Sequence, residues 1–217
     1  MRQILRGMID TMNLVKPPRR TVLRELHEVE TGDPFSILIG TILSARTKDE
    51  STTKVVKKLF SRYRTPKALA NAKVRDVEKL IKSIGFDHVK AKRIIKVAQI
   101  INSQYKGKVP ENFEKLIELP GVGRKTANCV LVYAFDTPAI PVDTHVHRIS
   151  NRLGLVDTKT PEETEFELIR KIPKKYWLQI NDTFVMYGQN ICKPISPLCN
   201  ICKIKTKCNY YKSMSAS

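Results

Sequence analysis

The sequence predicts an all-α protein built from two helical lobes. Apolar residues recur at helical spacing on nearly every segment, and the two-residue alternation of a strand is almost absent. One proline-bound stretch near the middle interrupts the helical pattern. With 217 residues, 41% of them hydrophobic, the chain can supply the core of one large domain or two small ones.

The elements follow in order. The N-terminal MRQILRGMIDTMNLVK reads as a helix. It contains an aspartate and no apolar run long enough for a signal peptide or a membrane span, so a reduced intracellular setting is expected. Phe35, Leu38, Ile39 and Ile42 form a helical stripe, as do Thr52, Val55, Val56 and Leu59 on the next segment, opened by Asp49 as an N-cap. Val74, Val77, Leu80, Ile81 and Ile84 mark another helix, and Ala91, Ile94, Ile95, Ala98 and Ile101 one more. Ala127, Val130, Leu131 and Ala134 stripe the helix that carries Lys125, where Cys129 reads as core packing. In DTPAIPVDT, Asp136 to Thr144, Pro138 and Pro141 exclude helix and join the two lobes. A helix restarts at Thr144, with Val146, Ile149 and Leu153 on one face.

Charge narrows the partners. Lys and Arg number 39 against 21 Asp and Glu, a formal net charge of +18. Such an excess favours a polyanion, because each phosphate contacted releases condensed counterions.

Within that frame LPGVGRKTA, Leu119 to Ala127, is the most informative turn. Gly121 and Gly123 permit unusual backbone angles and bring N–H groups close to a ligand. Val122 sits between them, and the following helix start adds orphan N–H groups and a positive dipole end, with Arg124 and Lys125 beside it. The competing reading is an ordinary turn in which glycine only ends a helix. LIKSIGFDHVKA (Leu80 to Ala91) echoes LIELPGVGRKTA (Leu116 to Ala127), with Leu, Ile, Gly and Ala at the same offsets; only the second copy has Gly-x-Gly and a preceding proline. Asp143 stands immediately before an apolar-periodic helix and reads as its N-cap. His145 and His147 read as packed or capping side chains.

Cys192, Cys199, Cys202 and Cys208 are spaced C-x6-C-x2-C-x5-C, too close-set for unrelated core cysteines. Thiolates at this spacing bind a metal centre, either zinc or an iron–sulfur cluster. Only one pair has the two-residue gap of a zinc knuckle, and the long first loop suits a bulkier cluster. Lys193, Lys203, Lys205 and Lys207 surround the ligands and make the loop basic.

LPGVGRKTA resembles the helix-hairpin-helix of DNA glycosylases, and in particular the endonuclease III family, which carries lysine where Lys125 stands. VDTHVHRISNRLGL from Val142 resembles a second signature of that family, and the cysteine quartet a third. The resemblance runs from about Pro34 to Cys208. It implies a bilobal glycosylase fold, with residues 24–135 as the central lobe and residues 1–23 plus 136–217 as the lobe that holds a [4Fe–4S] cluster on the four cysteines.

The resemblance also implies chemistry. Lys125 would be the nucleophile of a bifunctional glycosylase and AP lyase of base excision repair, and Asp143 the catalytic carboxylate facing it across an interlobe cleft. Gly121, Val122, Gly123, Arg124 and His145 would touch the DNA backbone. Because chemistry on a base needs an extruded nucleotide, Arg46 would fill the gap and Phe86 would wedge the opposite strand. Many bacterial members carry glutamine where Arg46 stands, which leaves opposite-base preference open; the competing readings are a solvated helix-end charge for Arg46 and core for Phe86. The implied substrates are oxidised or ring-saturated pyrimidines and abasic sites in duplex DNA, met by a monomer at the DNA of the cytoplasm, nucleoid or nucleus. Two rivals remain: a monofunctional mismatch glycosylase and a non-catalytic DNA-binding module. Lys125 opposes the first, as does the expected end of the chain soon after the cluster, without the further C-terminal domain of adenine-specific relatives; Lys125 and Asp143 at their motif positions oppose the second.

Overall fold

A computed structural model describes residues 1–15, 24, 33–45 and 49–215. These residues form twelve α-helices and two short 3-10 turns, with no strand among them. The chain divides into two compact units: Val22–Thr137, and a discontinuous unit of Met1–Thr21 with Pro138–Ser217.

The first unit is built around α2 (Pro34–Ser44), since α1 (Arg2–Met12) belongs to the other. Asp33 caps α2 by accepting from Ser36 N at 2.7 Å, and Pro34 fits its first turn, where no N–H is needed. The expected stripe proves too narrow here. Every residue from Phe35 to Leu43 is buried, because α3 (Asp49–Arg62), α6 (Asp87–Gln104) and α8 (Arg124–Phe135) all pack against α2. Each large aliphatic side chain so enclosed contributes about 1.5–3 kcal/mol. α3 begins at Asp49.

Two short helices, α4 (Pro66–Ala70) and α7 (Phe113–Ile117), escaped the periodicity reading because five residues carry too little pattern. Their caps are legible: Thr65 Oγ1 accepts from Ala68 N, with Pro66 next, and Asn112 Oδ1 accepts from Lys115 N. α5 (Val74–Ile81) and α6 form the first hairpin, α7 and α8 the second, so the internal echo in the sequence corresponds to two helix-turn-helix units.

In the second unit α1 and α9 (Thr144–Leu153) both pack on α11 (Trp177–Asn190). Leu5, Met8, Val146, Ile149, Phe184 and Tyr187 share its core. α10 (Pro161–Lys171) opens with a full capping box, Thr160 with Glu163, a T-x-x-E signal visible in the sequence. α12 (Asn209–Ser215) ends the described chain. Among the described residues no helix is long and apolar enough to cross a membrane.

Candidate active site and cysteine pocket

Lys125 stands in the first turn of α8, half-buried. The turn before it is held by two inward anchors. Leu119 is buried, and Val122 is buried with its N–H donated to Leu119 O at 3.0 Å. Val122 therefore offers a ligand neither side chain nor donor; it shapes the turn. Gly121 has φ +78°, a left-handed conformation that disfavours any other residue, and a Cβ there would also strike the side chain of Arg93. Gly123 differs. Its backbone is extended and nothing lies within 4 Å of where its Cβ would be. The fold does not demand glycine at 123, so the open space is available to something outside the chain. No side chain caps α8, and a helix start carries N–H groups with no intrahelical partner. Arg124 stacks its guanidinium over the Phe113 ring at 4.9 Å, anchored to α7. A helix start of this kind suits an anion, and Lys125 is its second residue.

In the first hairpin the left-handed residue is Phe86, φ +60°, and not the glycine before it. Phe86 is 64% exposed, which rules out core packing. A large aromatic side chain held outward on a left-handed turn is costly in water and in backbone strain. Arg46 lies outside the described residues.

Asp143 is the N-cap of α9, as its position indicated. Its Oδ1 accepts from both His145 N (2.9 Å) and Val146 N (2.8 Å). Both capping bonds use one oxygen, and Oδ2 accepts no hydrogen bond among the described residues. Capping and a second role for the carboxylate are thus compatible. His145 packs against α11, where a Cβ on Gly188 would lie 2.5 Å from its Nδ1. Arg148 donates to that Nδ1 at 3.1 Å. Arginine cannot accept, so Nδ1 is the acceptor and the ring proton of neutral His145 sits on Nε2. His147 is occupied by Thr164 and Asn151 and is structural.

The four cysteines are free thiols that line one pocket, with Ile149, Leu153 and Tyr187 among its walls. Among the described residues no group of three or more His, Cys, Asp or Glu is set to hold a single metal ion. Four thiols that line one pocket are the donor set of a metal centre. Burial pushes the Cys199 and Cys208 thiols up, which disfavours their thiolate forms unless a cation lies beside them. Burial also pushes the Tyr187 phenol up; its hydroxyl stays protonated 2.9 Å from Cys202 Sγ.

Sequence reasoning missed the residues that hold this pocket. Arg152 donates to Cys192 Sγ (3.4 Å), Lys193 O (2.7 Å) and Pro194 O (2.9 Å), and lies over the Tyr210 ring at 4.3 Å. Arg148 donates to Cys192 O at 2.8 Å. Both stand on α9 one turn apart, so i, i+4 arginines on the helix after Asp143 are the available signal. From the other side, Gly7 of α1 allows close approach of Ile204, whose Cγ2 would lie 2.4 Å from a Cβ there, and Thr11 Oγ1 accepts from Lys203 N at 3.1 Å.

Residues 39–174 match the HhH-GPD superfamily base excision DNA repair proteins. The chain belongs to this family. It is 53% identical to endonuclease III of Thermotoga maritima over 180 residues, 83% of this chain and 84% of that protein. It is 38% identical to endonuclease III of Escherichia coli K12 over 183 residues, 84% of this chain and 87% of that one. The HhH-GPD fold is seen again in a solved non-covalent endonuclease III–DNA complex, with TM-score 0.84, 35% identity and coverage of 100% of this chain and 98% of that chain. A thermostable thymine-DNA glycosylase superposes with TM-score 0.83 at 26% identity, covering 98% of this chain and 96% of that one. The HhH-GPD chain is accordingly an enzyme of base excision repair, of the DNA glycosylase type.

Proposed function

We propose that the protein is a bifunctional DNA N-glycosylase and AP lyase acting on oxidised or ring-saturated pyrimidines, and on abasic sites, in duplex DNA. The observation that carries this reading is Lys125 in the first turn of a helix whose N-cap, Gly123, is open and without a side chain. A phosphate gripped by that turn fixes the sugar beside the lysine.

The neutral Lys125 amine attacks C1′ of the damaged nucleotide. The C1′–N glycosidic bond breaks, and its electron pair leaves with the base, which is protonated. Opening of the sugar at C1′–O4′ leaves an imine between C1′ and Nζ. Loss of a C2′ proton then expels the 3′-phosphate by β-elimination and cuts the strand. Asp143 keeps Oδ1 on the helix cap and presents Oδ2 to the positive charge that develops on the sugar and to the migrating proton. His145, with Nδ1 held by Arg148, offers Nε2–H to a backbone phosphate. Phe86, exposed on its hairpin, is the wedge that holds the opposite strand apart.

Cys192, Cys199, Cys202 and Cys208 are proposed to hold a [4Fe–4S] cluster, supported by the shared pocket they line. When bound, the cluster supplies a rigid four-way cross-link; it takes no part in the steps above. Arg152 and Arg148 keep the intervening loop, with Lys193, against α9.

A second reading, monofunctional mismatch repair, draws on the likeness to the thymine-DNA glycosylase, although identity to endonuclease III is higher. One experiment separates them. The protein is incubated with a duplex containing thymine glycol or an abasic site, and borohydride is added. A covalent adduct that vanishes in Lys125→Ala is expected. Base release with no adduct overturns the lyase reading in favour of the second.

A further inference from the structure

The turn of Phe86 is flanked by a concavity that the chemistry above does not use. It encloses about 350 Å³ between α3 and the end of α5 and is lined by Lys54, Lys58, Lys79, Lys82 and Ser83, with Val55 and Leu80 beneath. Among the described residues no acidic side chain lines it. The two acids of α5 are engaged elsewhere, Asp76 with Arg62 and Glu78 with His88. None of the four lysines is in an ion pair among the described residues.

The arrangement is unfavourable for the isolated protein. Lys54 and Lys58 are like charges at i, i+4 on α3, and Lys79 and Lys82 are like charges at i, i+3 at the end of α5. The first pair works against α3, and Lys79 and Lys82, although each suits a helix C-terminus, repel one another. Both pairs also face the same concavity, so the two repulsions reinforce each other. Four solvated lysines with no role would be spread over the surface, or paired with the available carboxylates. Two like-charge pairs turned toward one concavity suit an anionic ligand.

We propose that this four-lysine basin binds the phosphodiester backbone of the DNA substrate, on the flank of the Phe86 turn and apart from the Gly121–Arg124 turn. Ammonium groups on flexible stems suit a backbone phosphate as point charges, and Ser83 adds a neutral donor. The site gives no base readout; it positions the duplex and contributes to affinity at every sequence. The proposal rests only on DNA being the substrate and is independent of the lyase step.

The test is the salt dependence of equilibrium binding to a fluorescent duplex carrying a tetrahydrofuran abasic analogue. Two double variants, Lys54→Gln with Lys58→Gln and Lys79→Gln with Lys82→Gln, are compared with wild type and with Lys92→Gln and Lys96→Gln on α6, which remove equal charge outside the basin. Each basin variant is expected to reduce the slope of log affinity against log salt by about 1 to 2, as one or two phosphate contacts are lost, with the α6 variant changing less. Without DNA, the Lys54 and Lys58 variant should melt no lower than wild type, since repulsion is relieved. A lost fold element would instead lower both affinity and melting temperature. A wild-type slope in the basin variants, or an equal change in the α6 variant, overturns the proposal. So does protection of the wild type by inorganic phosphate with no change of DNA slope, which would assign the basin to a free anion.

Discussion

In the proposed mechanism Asp143 meets a structural and a chemical demand at once. Its Oδ1 closes the start of α9 through two N–H bonds, and Oδ2 is left over. Asparagine caps a helix about as well as aspartate, so Asp143→Asn should keep stability within about 0.5 kcal/mol in urea unfolding while slowing single-turnover base release by about 10²-fold or more. Asp143→Ala should lose both, with a capping cost of about 1 kcal/mol. The two glycines of the second hairpin divide in the opposite sense. Gly121→Ala puts a side chain at φ +78° and against Arg93, and should destabilise by about 1 kcal/mol or more. Gly123→Ala meets open space in an ordinary conformation and should leave stability nearly unchanged, yet weaken binding of an abasic-analogue duplex. Equal effects of Gly123→Ala on stability and binding would show that the fold, and not a ligand, needs that glycine.

At the scale of elements, Lys90 connects α6 to the end of α2. Its side chain is 4% exposed, and Nζ donates to Leu43 O at 3.0 Å, a carbonyl in the last turn of α2. A cation there suits the helix dipole and an orphan carbonyl. Burial, and then the nearby Arg93, hold the Lys90 pKa below its usual value. The sign follows from linkage. Between the lowered folded pKa and the unfolded value of about 10.4, the unfolded chain binds the extra proton, so the burial penalty is full at low pH and is relieved as pH rises through that window. The stability of wild type relative to Lys90→Met should therefore rise from neutral pH toward about pH 10, measured as the difference of their urea midpoints. A flat difference would show that burial imposes no penalty on this lysine.

For the whole molecule, the cysteine pocket depends on segments from both ends of the chain. Lys203 N reaches Thr11 Oγ1 across 192 positions, and Ile204 sits where a side chain on Gly7 would be. Gly7→Val should displace Ile204 and its neighbours Cys202 and Cys208. The expected result is a severalfold drop in iron and acid-labile sulfide per chain, read with the visible absorbance, while far-UV helicity is largely kept. Full iron retention in Gly7→Val would show that α1 does not support the pocket.

Most helices could be read from residues three and four apart, because burial of one helix face is a local demand written locally. The echo of the two hairpins and the cap at Asp143 were legible for the same reason: turns and caps are set by neighbours within a few positions. Five-residue α4 and α7 were too short for a period, and α2 hid its full burial because a stripe on one face says nothing about what covers the other. The residue types at 125, 143 and the four cysteines, and the excess of positive charge, are properties of the sequence alone. Which Asp143 oxygen remains unbonded, that Phe86 points outward, and that Val122 turns inward were decided by packing. So were the grip of Arg148 and Arg152 on the cysteine loop and the meeting of four lysines from two helices. These depend on contacts between segments far apart in the chain, and no local pattern encodes which distant surface a side chain will meet.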